Sequence, residues 1–182
     1  ILVLTAMQLD MVIRLYGLMV LMGDNGLINA ALLQWDVIET PLPLMYNFFG
    51  VVVGLTQFTL PFMVLSLIGI VRGIHPSLEE AARSLGASRW TTFWWITFPL
   101  SMPGILAGSL LVFAISMSSY VIPALMGGWR VMVLPIHIFQ QNSELGNWQF
   151  GAAVSVILLL SSMLAVFVYQ HYALKTAGGV QA

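Results

Sequence analysis

Residues 79–99 read EEAARSLGASRWTTFWWITFP. Glu79, Glu80, Arg83 and Arg89 all fall in this stretch, although Asp, Glu, Lys and Arg make up only 7% of the chain. Long apolar runs lie on both sides of it. A charged side chain in the middle of a bilayer costs about 3 kcal/mol on insertion scales, so this stretch belongs in water between two membrane-crossing helices. A membrane protein that gathers its scarce charge in one short loop presents that loop to something soluble.

The rest of the composition supports the membrane reading. The chain is 59% hydrophobic, with a mean hydropathy of +0.94, above the level of soluble domains. Net charge is -1, and no basic run offers a nucleic-acid surface. Cysteine is absent, which excludes disulfides and thiolate metal sites, and the three histidines are scattered. The chain opens inside an apolar run without a basic leader, so it does not read as a signal peptide. The natural N-terminus is expected to lie in a longer protein.

A spanning helix needs about 20 mostly apolar residues. Four stretches qualify: ~1–22, broken by Gln8, Asp10 and Arg14; ~44–71, with Pro61 inside; ~93–117, with Pro99 and Pro103 near its start; and ~150–172. Pro61 predicts a kink rather than a break, because neighbouring groups re-satisfy the freed carbonyl. Arg72, Arg83, Arg89 and Lys175 share one side of a four-span arrangement, and Arg130 falls on the other. The positive-inside rule puts residues 73–92 and the C-terminus in the cytoplasm. The outer loops are then 23–43 and about 118–149, with Gly23-Asp24-Asn25-Gly26 and Gly127-Gly128 as turn signals. Trp35, Trp129 and Trp148 read as an outer aromatic belt, and Trp90, Trp94 and Trp95 as the inner one.

Within the cytoplasmic loop a helix is expected over ~76–87. Pro76 suits a first turn. Ser77 and Glu80 have the spacing of a capping box. Glu79 and Glu80 lie at the positive end of the helix dipole, and Gly86 is placed to end the helix in a left-handed conformation. Leu78, Ala81, Ala82 and Leu85 share one side by their spacing of three and four. A solvated amphipathic loop would show the same local features.

The longer spacing goes further. Glu80-Ala81-Ala82, three residues, Gly86, nine residues, Ile96, one residue, Phe98-Pro99 resembles the EAA-x3-G-x9-I-x-LP signature of ABC importer permeases, with Phe98 in place of the usual Leu. The resemblance implies an all-α membrane protein, a polytopic helical bundle of the type I ABC importer permease fold over residues 1–175, followed by a C-terminal tail at 176–182. The first two spans of the family pattern are expected to be absent from this chain. It also implies that Ser77, Glu80, Ala81, Ala82, Leu85 and Gly86 form a coupling helix, and that Pro99 sets the exit angle of the third span. The chain itself would be no enzyme and hold no cofactor; ATP and Mg would bind a cytosolic ATPase dimer. Further partners implied are a second permease subunit, in a homo- or heterodimer, and an extracytoplasmic solute-binding protein. The location implied is the bacterial inner membrane.

Arg14-Leu15-Tyr16-Gly17, Gly26-Leu27-Ile28-Asn29, Leu60-Pro61-Phe62-Met63-Val64, Pro103-Gly104-Ile105-Leu106-Ala107-Gly108 and Met126-Gly127-Gly128 are similar to the spermidine/putrescine branch of that family. The branch also carries other small organic solutes and iron. A polyamine or related small cationic compound is the expected solute, by that resemblance and because a carboxylate at Asp10 facing the cavity would attract an amine.

Candidate pathway residues are Asp10, Arg14, Tyr16, Gln57, Ser119 and Tyr120. Asp10 and Arg14 lie four apart on one helix face and are placed to pair. Such a pair serves a pathway, an ion relay in a secondary transporter or channel, or helix packing alone. Gln57, Thr56, Thr59, Ser116, Ser118 and Ser119 line a polar path or make ordinary interhelical hydrogen bonds. Gly50, Gly54, Gly104 and Gly108 have the spacing of close helix packing.

Overall fold

The computed structural model describes residues 10–178, with side chains through residue 171. Its helices are α1 (Met11–Met22), α2 (Leu27–Gln34), α3 (Phe48–Gly73), α4 (Pro76–Ser84), α5 (Arg89–Ser118, with a π-helical turn at Phe93–Thr97), α6 (Leu134–Phe139) and α7 (Trp148–Gly178). Two further π-helical turns, Pro123–Gly127 and Gln140–Glu144, lie between α5 and α7.

Four stretches are long and apolar enough to cross a membrane: Met11–Gln34, Phe48–Gly73, Arg89–Ser118 and Trp148–His171. Between 11 and 22% of the most apolar window in each is buried within the chain, so most of their apolar surface is left for a lipid surround. Three of the four agree with the sequence reading. The first is shifted: it runs to Gln34 through a break at Gly23–Gly26, instead of ending at residue 22 before a long loop. Residues 1–9, Gln8 among them, lie outside the described residues. The outer segment 118–149 is likewise built from short helical turns rather than open loop. α7 continues to Gly178, past the boundary at 175 expected for a tail. α3 passes Pro61 unbroken.

The chain divides into two compact units, residues 10–61 with 115–161, and 62–114 with 162–178. The first is centred on Leu15, Met22, Met45, Val51, Ile122 and Met126. Gly54 lets α3 come close, because a Cβ there would sit 2.8 Å from Ile122 Cγ2 and 3.1 Å from Met126 Cγ. The Gly23–Gly26 corner is pinned by Asn29, which is fully buried. Its amide donates to the carbonyls of Gly23 (3.1 Å) and Leu42 (3.0 Å), and its Oδ1 accepts from Leu42 N–H (2.9 Å). The Gly23 carbonyl, which also accepts from Gly26 N–H, thus gains a second donor, and the corner is tied to Leu42.

In the second unit α3 and α5 meet at small residues. A Cβ on Gly104 would meet Ile70, and one on Gly108 would meet Met63 and Ser66. Ser66 Oγ donates to Gly104 O at 3.1 Å. α7 joins through Tyr169, whose hydroxyl donates to Leu106 O at 2.9 Å and also bonds Ser109 Oγ.

Candidate functional site

The polar stretch folds as a short helix displayed by strong local caps. Pro76 occupies the first helical position, and the residue before it, His75, is the N-cap. His75 Nδ1 accepts from Ser77 N–H at 3.3 Å and contacts Ser77 Oγ at 2.7 Å. The Ser77–Glu80 capping box expected from the sequence is therefore not the cap. Proline takes the first position because its missing N–H is one that no helix uses there. Ser77 then lies inside the helix, where its N–H receives the cap instead of its hydroxyl supplying one.

The far end is a Schellman motif. Gly86 N–H donates to Arg83 O (3.0 Å) and Ala87 N–H to Ala82 O (3.0 Å). Gly86 has φ +88°, a left-handed conformation that glycine adopts without a Cβ clash. The sequence reading placed this stop correctly.

Between the two caps α4 is two-sided. Leu78, Ala81 and Leu85 are exposed, Leu85 at 90%. Glu80 is exposed beside them, and its backbone carbonyl accepts from Ser84 Oγ. Ala82 departs from the expected shared face: it is half-buried, one turn from Glu79, whose side chain reaches the start of α5. On that side Thr97 Oγ1 donates to Glu79 Oε1 at 2.9 Å, linking residues 18 apart.

Ser88 caps α5, accepting from Thr91 N–H at 3.2 Å. The π-helical turn Phe93–Thr97 follows, closed by Phe98 N–H to Phe93 O. Pro99 comes next, half-buried. In a regular α register its ring would press on the carbonyl of Trp95, and the wider turn relieves that clash. The link to Glu79 thus springs from the irregular turn at the base of a spanning helix.

The candidate pathway residues sit in different local settings. Asp10 is exposed and caps α1, its carboxylate accepting from Val12 N–H at 2.8 Å. Arg14 turns its guanidinium over the Phe58 ring, 5.2 Å from the centroid, and its Nε and Nη1 are buried without a hydrogen-bond partner. The expected Asp10–Arg14 pair is not formed, because the cap position claims the carboxylate and the arginine packs toward α3. An ion relay through these two residues has no geometric basis here. Tyr16 is exposed. Gln57 Oε1 is buried and unpartnered.

Ser119 lines an apolar cavity of about 420 Å³ with Phe48, Leu55, Met117 and Pro123. Tyr120 lines a separate cavity of about 60 Å³ with Trp129, Phe139 and Gln140, its ring 4.7 Å from that of Phe139.

Residues 10–177 match the family of binding-protein-dependent transport system inner membrane components. The chain belongs to that family. Its relatives include the spermidine/putrescine transport system permease protein PotB of Escherichia coli K12, 40% identical over 157 residues, which cover 86% of this chain and 57% of that protein. The sulfate transport system permease protein CysW of Synechocystis is 34% identical over 152 residues, 79% of this chain and 52% of that protein. The molybdenum transport system permease protein ModB of Escherichia coli K12 is 37% identical over 105 residues, 58% of this chain and 44% of that protein. The chain spans about half the length of the curated relatives it matches.

Two further residues of the chain matter structurally. His75 is the N-cap of α4, a position marked in the sequence by the proline that follows it. Thr97 carried no signal, because its partner Glu79 is reached only through the fold.

Proposed function

We propose that the chain is part of the transmembrane permease subunit of an ATP-driven importer, with α4 as the coupling helix. The display of α4 carries this reading. A helix held by a side-chain cap at one end and a Schellman stop at the other keeps an apolar edge (Leu78, Ala81, Leu85) and Glu80 in water. Such an edge suits the groove of a cytosolic ATPase dimer that binds ATP and Mg. Force applied there would pass through the Glu79–Thr97 bond to the π-helical turn and Pro99, and so into the spanning part of α5. Ser77 and Gly86 hold the geometry, and Ala82 allows α4 to lie close to α5. A second permease subunit and an extracytoplasmic solute-binding protein complete the assembly.

The test is ATP-driven uptake by the reconstituted transporter. Gly86→Pro demands φ near −65° where the chain has +88°. Glu80→Lys reverses charge on the displayed edge. Both are expected to abolish uptake and solute-stimulated ATP hydrolysis while the subunit stays folded in the membrane. Unchanged uptake in both variants refutes the coupling role.

The solute is a polyamine or related small cationic compound. The similarity to a spermidine/putrescine permease supports this. The cavity of Tyr120, Trp129, Phe139 and Gln140, at about 60 Å³, has room for one ammonium end of such a solute and not for the whole molecule. Asp10, capped onto its own helix, gives no support. Uptake of spermidine and putrescine, but not sulfate or molybdate, is expected. Tyr120→Ala should weaken amine uptake, and uptake of the oxyanions alone would overturn the assignment.

A further inference from the structure

Arg83 on α4 and Arg89 at the start of α5 line one cavity of about 360 Å³, together with Glu79, Thr92, Phe93 and Thr97. Two of the chain's six cationic side chains thus converge on one site. Neither guanidinium forms an ion pair or side-chain hydrogen bond among the described residues, whereas the one carboxylate present accepts from Thr97. The cavity carries net positive charge, with its anion already engaged and both cations free. Guanidinium forks match the oxygens of a phosphate in bidentate geometry, and the volume lies within the range of small-molecule sites.

The rim has a second chemistry. Phe93 reaches the cavity and packs edge-on against Trp90 (6.5 Å between centroids) and Trp94 (5.3 Å). Trp90, Trp94 and Trp95 are all exposed, Trp95 at 80%. A basic cavity beside an exposed tryptophan ledge has the make-up of a membrane-interface headgroup site. The basic residues also assign this end to the cytoplasmic leaflet, where anionic lipids lie.

We propose that this cavity binds a phosphate-bearing anion, held by Arg83 and Arg89 and supplied by an anionic lipid whose chains lie against the tryptophan ledge. The ligand bridges α4 to the base of α5, beside the Glu79–Thr97 bond. It leaves the exposed edge of Leu78, Ala81 and Leu85 uncovered, so it does not compete for that surface. An anionic lipid would then stiffen the link between the cytoplasmic helix and the spanning helix. The inference rests on the cavity and the membrane orientation, and stands apart from ATP coupling.

The experiment is lipid retention by the intact transporter in nanodiscs of phosphatidylcholine with or without phosphatidylglycerol, read by native mass spectrometry and by tryptophan quenching with brominated forms of each lipid. Phosphatidylglycerol is expected to be retained over phosphatidylcholine, and the preference to fall about tenfold in Arg83→Gln and in Arg89→Gln, the loss typical of a charge-assisted hydrogen bond. Arg72→Gln removes an exposed charge at the end of α3, outside the cavity, and should keep the preference. Inorganic phosphate binding to lipid-free protein with the same arginine dependence would place the source in solution and still support the anion site. Equal retention of both lipids with no phosphate binding, or an equal loss in Arg72→Gln, overturns it. Because both arginines are exposed, their variants are expected to fold, which circular dichroism checks.

Discussion

Asn29 offers the sharpest test of how the first spanning stretch is held. Its side chain is fully buried and makes three hydrogen bonds at 2.9–3.1 Å, joining the Gly23 carbonyl at the helix break to both backbone groups of Leu42. Side-chain hydrogen bonds in membrane proteins average about 0.6 kcal/mol each. Removing the partner of a buried backbone N–H adds about 1–3 kcal/mol. Asn29→Ala should therefore cost about 3–5 kcal/mol in opening the corner between α1 and α2. Asn29→Asp separates the hydrogen-bond account from a packing account. The aspartate has nearly the same shape and keeps an acceptor for Leu42 N–H, but it turns an acceptor oxygen toward two carbonyls. It should be at least as damaging as alanine. The chain has no cysteine, so a single Met45→Cys, buried in the core of the first unit, reports opening through its thiol-labelling rate. At tenfold per 1.4 kcal/mol, both Asn29 variants should speed labelling by at least about 100-fold. If Asn29→Asp labels like the parent while Asn29→Ala does not, packing holds the corner and the hydrogen-bond reasoning is wrong.

Three further perturbations act elsewhere. Gly54→Leu places a Cβ 2.8 Å from Ile122 Cγ2, and the overpacking should lower stability by about 1–3 kcal/mol in detergent unfolding; an unchanged midpoint would show that α3 can move away freely. Tyr169→Phe removes the hydroxyl bonds to Leu106 O and Ser109 Oγ and should cost about 1 kcal/mol in the same assay, with no effect expected if those bonds are idle. Gly86→Ala keeps the helix but strains φ +88° by about 1–2 kcal/mol. Faster hydrogen exchange at the Gly86–Ala87 amides, with unchanged global melting, is its expected signature.

Much of the fold was legible because its signals are local. Runs of apolar residues marked the spans, and three of four lay where hydropathy put them. Gly86 announced the end of α4, and the glycine spacing announced the close contacts of α3 and α5. The misplaced features share a cause. Asp10 and Arg14 have pairing spacing, yet a helix start offered Asp10 a backbone N–H, and Phe58 offered Arg14 a ring face. The first span extended past Gly23–Gly26 because Asn29 supplies the hydrogen bonds that make a corner inside a spanning stretch tolerable. Neither competition can be scored from spacing along the chain.

The 79–99 stretch draws the same division. Its residues alone determined a water-exposed helix between two spans, a glycine stop, and membership of a transport family, because charge, capping and motif spacing act over a few residues. Tertiary structure decided that Ala82 turns inward, that Thr97 reaches Glu79, and that Arg83 and Arg89 share one cavity. Those outcomes depend on how α4 rotates against a π-helical turn that changes the register of everything after it. A sequence specifies that rotation only through the packing of the whole unit.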